Sequence, residues 1–282
     1  MQKLALDEEI LLQVEQPARY IGGEINSVKK DPDQVKIRFA MCFPDVYEIG
    51  MSHLGIQILY SMFNRREDVY CERVFSPWTD LDRILREKKI PLFTLESQRP
   101  VKECDFLGIT LQYEMCYTNI LQVLELSQIP LRAADRRDGD PIVIGGGPCT
   151  YNPEPIAPFF DLFYMGEGEV IYDELLDLYR EHKEAGGDRA SFLKKVASLP
   201  GIYVPAFYEP EYHEDGTLAA FKPLCPEAPA KVRRLVMSVL DRADFIDNPL
   251  VPFIRVTQDR SVLELMRGCI RGCRFCQAGN VY

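Results

Sequence analysis

The chain lacks any long apolar run. No stretch approaches the roughly 18 consecutive apolar residues that a membrane-crossing helix needs, so no such helix is expected. The opening MQKLALDEEILLQVEQ carries acids and no apolar core, so it is not expected to be a secretory leader. Together these two absences predict a cytoplasmic protein with no membrane contact. Positive charge is in deficit: 33 Lys and Arg stand against 43 Asp and Glu, a net charge of −10. That balance disfavours non-specific binding to nucleic-acid backbones. The one basic patch, KVRR at 231–234, reads as a solvated face. Histidine is scarce. Of the 3 histidines, His182 at a polar helix end and His213 in a charged loop read as solvated, and His53 reads as a hydrogen-bonded loop or helix-start residue. No internal repeat and no low-complexity tract is present.

What is there suits a globular protein. The 282 residues suggest about two domains, and 46% hydrophobic content supplies a core. Residues 1–34 form an acidic, then Gly- and Lys-rich arm, with a helix expected near 7–16. From 35 onward strands alternate with helices. VKIRFAMCF (35–43), VYCERVF (69–75), FLGITL (106–111), PIVIGG (141–146) and DLFYMG (161–166) read as strands, with a short extended piece at 90–95. Helices are expected near 54–64, with Leu54, Ile58, Leu59, Met62 and Phe63 on the apolar side, opening from SPWTDLD (76–82), near 116–127 and over 169–182. Thr79 is the expected cap of the second, with Asp82 three residues on. Five strands with helical crossovers predict an α/β, doubly wound, flavodoxin-like parallel sheet. The expected division is an arm at 1–34, the α/β domain at 35–200, a Pro-rich linker with one or two hairpins at 201–255, and a further unit opening at 256–282, with SVLELM (261–266) as its first strand.

The 9 cysteines divide into two groups. Cys42, Cys71, Cys104, Cys116, Cys149 and Cys225 are scattered and read as reduced core thiols. Cys269, Cys273 and Cys276 crowd into MRGCIRGCRFCQAG (266–279) with C-x3-C-x2-C spacing. Three thiolates on one loop can hold three irons of a cubane 4Fe–4S cluster and leave the fourth iron open. Gly268 and Gly272 let the backbone bend close. A structural zinc is the competing reading. It wants four ligands, and the nearest further cysteine is Cys225.

Two further constellations sit in the sheet domain. GGGP, with Gly145, Gly146 and Gly147, and GEGE, with Gly166 and Gly168, each follow a strand, where doubly wound sheets bind ligands. Tight turns alone explain them equally well. The spacing is not G-x-G-x-x-G, no basic residue accompanies it in sequence, and Glu167 and Glu169 would repel a phosphate. Asp45 and Glu48 in DVYEIG read as loop polarity rather than acid–base machinery, and Cys116 as a buried thiol.

A strand running into C-x3-C-x-aromatic-C, with Phe275 in the aromatic place, resembles the radical SAM superfamily. FPDVYEIGMSHLG (43–55), VIGGGPCTYNPEPIAPFFDLFYMGEGE (143–169) and ELMRGCIRGCRFCQAGNVY (264–282) resemble the subset that carries an N-terminal cobalamin-binding-like domain. The resemblance implies an enzyme in which Cys269, Cys273 and Cys276 hold a 4Fe–4S cluster and Phe275 lies near the adenine of S-adenosylmethionine. Reductive cleavage of that cofactor would give a 5′-deoxyadenosyl radical, with a flavodoxin- or ferredoxin-like electron donor as partner. The resemblance allows cobalamin as a ligand of the sheet domain, although His53 does not stand in D-x-H-x-x-G. The superfamily's catalytic domain is a partial β/α barrel, of which this chain would supply the first strand and the cluster loop. It is therefore expected to be a fragment of a longer enzyme.

Overall fold

The computed structural model describes residues 4–240 and 245–281. The helices are α1 (Glu8–Leu11), α2 (Tyr47–Gly50), α3 (Leu54–Arg65), α4 (Thr79–Lys88), α5 (Tyr117–Leu126), α6 (Tyr172–Glu184), α7 (Arg189–Ala197) and α8 (Ala278–Val281). The strands are β1 (Ile37–Phe43), β2 (Val69–Phe75), β3 (Phe106–Thr110), β4 (Ile142–Gly146), β5 (Leu162–Tyr164), β6 (Ile202–Tyr203), β7 (Tyr208–Tyr212) and β8 (Leu218–Pro223).

The first six strands form one sheet in the order β2-β1-β3-β4-β5-β6. β1 through β5 are parallel, and β6 closes one edge antiparallel to β5. The order 2-1-3-4-5 is the flavodoxin-like one, with its switch point between β1 and β3. A parallel sheet is covered on both faces and its strands are apolar throughout. β1 and β2 are accordingly buried at all seven positions. Alternation divides β1 between two cores. Ala40 and Cys42 face one layer with α4 and α5, while Phe39, Met41 and Phe43 face the other with α3, α6 and α7.

Several expectations need correction. The helix expected over 7–16 is only the four-residue α1, capped by Asp7, whose Oδ1 accepts from Ile10 N at 2.9 Å. Thr79 is the first residue of α4 rather than its cap. Asp82 is taken by Arg86 (2.9 Å) and Gln122 (2.9 Å), so no reciprocal capping pair forms. Ile202 and Tyr203, read as the start of the linker, extend the sheet. One hairpin follows, β7–β8. SVLELM at 261–266 forms no ladder. An isolated strand leaves its backbone groups unpaired, and among the described residues no neighbour is offered to it. His182 is buried at 5% exposure, not solvated. α7 packs on α6 and encloses its ring, which lies 2.9 Å from Asp188 O and 3.2 Å from Lys195 Nζ. His213 is exposed, as expected.

Candidate functional site

A cavity of about 400 Å³ opens where the carboxyl ends of β1, β3, β4 and β5 meet the start of α3. Its position follows from topology: at a switch point the crossover helices diverge to opposite faces and leave a crevice. His53, Leu54, Ile56, Ile58 and Leu59 form one wall, with Leu54 and Leu59 half-buried and Ile56 and Ile58 buried. Thr110 and Gln112 follow β3, and Gln112 Nε2 donates to Thr110 Oγ1 at 2.6 Å. Tyr164 and Tyr172 supply aromatic wall, and Tyr164 Oη donates to Glu167 O at 2.6 Å.

Gly146, Gly147, Gly166 and Gly168 all lie on this wall. Gly145 does not. It sits inside the sheet, where a Cβ would meet the Phe163 ring at 2.5 Å. Gly166 has a structural task that the sequence does not announce. Residues around Leu235 cross the end of β5, with Leu235 N donating to Met165 O and Glu167 N donating to Leu235 O, each at 3.0 Å. At Gly166 φ is +148°, and a Cβ would stand 2.5 Å from Leu235 O and 2.8 Å from Leu235 N. Backbone cannot rotate away as a side chain can. Gly166→Ala is therefore expected to cost about 1–3 kcal/mol and to speed amide exchange at Glu167 and Leu235. Unchanged exchange at both would refute this role for Gly166.

His53 caps α3, and its Nδ1 accepts from Ile56 N at 3.2 Å. Burial lowers its pKa, which favours the neutral ring. Asp45 accepts from Tyr113 Oη, and Glu48 accepts from Arg19 Nε at 2.9 Å, so both serve loop structure as expected. Cys116 is buried, its Sγ donating to Tyr113 O at 2.8 Å, and desolvation pushes its thiol up to about 11. The other scattered cysteines are buried too, except the half-buried Cys225.

The roof of the cavity comes from the far end of the chain, through Glu264, Met266, Arg267 and Gly268. Sequence reasoning missed Arg267. It supplies the basic residue that the glycine turns lack locally, with Arg267 Nη2 2.5 Å from Glu169 Oε1 across 98 positions of sequence. Its place two residues before Cys269 and three after Glu264 was the available signal.

The cysteine loop follows at once. Gly268 and Gly272 adopt left-handed φ values of 79° and 61°, as the tight path requires. Cys269 and Cys273 are exposed, Cys276 is half-buried, and all three are free thiols. Cys276 N donates to Cys273 O at 3.1 Å, closing a turn between the last two. Among the described residues no three metal-binding side chains are gathered around one point. The donor set nevertheless fits an iron–sulfur cluster: three unpaired thiols on one glycine-hinged loop. Phe275 is 93% exposed and does not line the cavity.

A doubly wound sheet, a crevice at its switch point and a C-x3-C-x2-C loop over that crevice define the class. The profile of the family described as radical SAM proteins, N-terminal, matches residues 55–205, and the chain belongs to that family. It is also similar to an uncharacterized protein of Methanocaldococcus jannaschii, 25% identical over 252 residues. That match covers 86% of this chain and 41% of the relative, so the chain spans about two-fifths of that protein's length. No solved structure matches. No helix among the described residues is long and apolar enough to cross a membrane.

Proposed function

We propose that this chain is the N-terminal part of a radical SAM enzyme, and that Cys269, Cys273 and Cys276 hold a 4Fe–4S cluster beside the switch-point cavity. The observation that carries the reading is the family match over 55–205 combined with three free thiols on the loop that directly follows the 264–268 roof of the cavity. A cluster held there would supply one-electron reductive cleavage of S-adenosylmethionine, the electron coming from a flavodoxin- or ferredoxin-like donor. The chain's own residues have simpler tasks. Three thiolates would leave one iron of such a cluster without a protein ligand. Gly268 and Gly272 let the backbone turn around the cluster. Phe275, exposed on the same loop, is free to lie against an adenine. Residues 256–282 would open the catalytic unit, and 35–200 would be the ligand-binding one.

The cavity is suited to a ligand without net negative charge, since Glu167, Glu169 and Glu264 outnumber Arg267 on its wall. A corrinoid has no axial histidine from a D-x-H-x-x-G motif here, and Nδ1 of His53 is already used by the α3 cap.

Anaerobic reconstitution with iron and sulfide, followed by reduction and EPR, tests the reading. A 4Fe–4S signal that shifts on adding S-adenosylmethionine is expected. One tightly held zinc without sulfide would overturn it.

A further inference from the structure

Arginines brace both flanks of the cysteine loop. Ahead of the first cysteine, Arg267 meets three carboxylates: Glu169 Oε1 at 2.5 Å, Glu264 Oε2 at 2.9 Å and Glu167 Oε2 at 3.5 Å. Its Nε also donates to Glu264 Oε1 at 2.9 Å, so Glu264 takes the guanidinium fork in a two-point grip. Past the last cysteine, Arg234 Nη1 donates to Asn280 O at 3.0 Å and Val281 O at 2.7 Å, covering carbonyls of the short helix α8.

The two braces share one support. Glu167 and Glu169 lie in the turn after β5, and the segment carrying Arg234 is hydrogen-bonded to that same turn through Leu235. Glu167 Oε2 also accepts from Met237 N at 2.5 Å. The side chains at the first brace are largely withdrawn from water, at 18% exposure for Arg267, 16% for Glu167 and 6% for Glu169. Partial burial makes such a pair stronger than an exposed one and costly to break on one side only. Between the braces, Cys269 and Cys273 stay exposed. The loop is thus held at its ends and free at its thiols.

We propose that Arg267 is a positioning residue: it latches the cysteine loop onto the Glu167–Glu169 turn of the α/β unit and sets the charge beside the thiolates. Three carboxylates against one guanidinium leave a local excess of negative charge, so changing any member changes the field at the cluster site. A guanidinium is required because a lysine ammonium cannot grip Glu264 at two points while reaching Glu169.

Two measurements on Arg267→Gln, Arg267→Lys and Glu169→Gln test the latch. The first is limited chymotryptic proteolysis of the metal-free chain, which does not depend on the cluster reading. Cleavage after Leu263, Leu265 and Met266 is expected to speed roughly fivefold in all three variants while the sheet strands stay uncut. The second, which rests on the proposed cluster, is the midpoint potential after reconstitution. A cation nearby favours the reduced form, so Arg267→Gln should lower the potential and Glu169→Gln should raise it. Arg267→Lys should stay near the parent value. A role limited to folding would move the first two in the same direction, and that outcome overturns the proposal. Unchanged cleavage across 262–268 also overturns it. A parent chain that takes up no iron defeats the cluster reading and leaves the proteolysis result to decide the latch.

Discussion

Arg73→Met is expected to lower the unfolding free energy by about 3–5 kcal/mol, a large share of ordinary stability. Arg73 lies on β2 at 1% exposure. Its Nη2 donates to Glu24 Oε2 at 2.7 Å and its Nε to Glu96 Oε1 at 2.6 Å. Its Nη1 lies 3.0 Å from Met51 Sδ, and the guanidinium stands 5.5 Å from the centre of the Tyr60 ring. Methionine would fill much of the volume but take the guanidinium away from two buried carboxylates. The denaturant midpoint measures the loss. Adding Glu24→Gln and Glu96→Gln to Arg73→Met should recover most of it, because an apolar group beside neutral amides leaves no uncompensated charge. A triple variant as unstable as the single one would show that shape, not charge, is what Arg73 supplies.

The same cluster gives a pH dependence. One guanidinium serves two carboxylates. Burial pushes Glu24 up, but the charge and hydrogen bonds of Arg73, a backbone hydrogen bond and the Tyr47 Oη bond at 2.9 Å together hold it below its usual range. Burial pushes Glu96 up to about 7 against the pull of Arg73. A raised carboxyl favours its protonated form in the folded state. Its contribution is therefore complete below about 4.5, the unfolded value, and is lost as pH rises through about 7. Glu24 acts with the opposite sign, losing its contribution as pH falls below the carboxylate range. Glu96→Gln should remove the Glu96 part. The stability difference between the parent chain and Glu96→Gln should fall between pH 4.5 and 7 by on the order of 1 kcal/mol per unit. A difference that stays flat over that window would refute the assignment.

The second large effect concerns the cysteine loop. On the proposed reading, replacing any one of Cys269, Cys273 or Cys276 with Ala should reduce reconstituted iron from about four atoms per chain to under about one, since each thiolate would hold a separate corner of the cube. Changing buried Cys42 or Cys149 to Ala should leave iron loading as it is, because neither thiol reaches the loop. Cys225→Ser discriminates the zinc alternative. A four-ligand zinc site that recruited Cys225 would lose its metal in that variant, and a three-thiolate cluster would not. Iron and sulfide analysis with the 4Fe–4S EPR signal decides among these.

Some of this was legible in the chain and some was not. Strands buried on both faces must be apolar at nearly every position, so β1 through β5 stand out as short apolar runs. The turns after β4 and β5 carry glycines for steric reasons that leave a compositional trace. β6 leaves none, because a two-residue strand has no period, and only the exposed edge of β5 makes Ile202 and Tyr203 a strand. SVLELM shows the reverse: apolar alternation without a partner forms no ladder. His182 looked solvated because its helix end is polar, and the packing of α7 buried it. Arg267 was invisible as a latch because its partners lie about a hundred positions upstream, beyond any local pattern.

By itself the sequence determined the order and type of the main elements, the doubly wound class and the cysteine spacing, since these depend on local periodicity and on ligands adjacent along the chain. Only the tertiary structure decided that the glycine turns and the cysteine loop border the same cavity, that Gly166 makes room for a crossing backbone, and that Arg267 answers the two acids after β5. Those are contacts between distant segments. Their energies depend on desolvation and on the direction of approach, and neither is written in the neighbours of a residue along the chain.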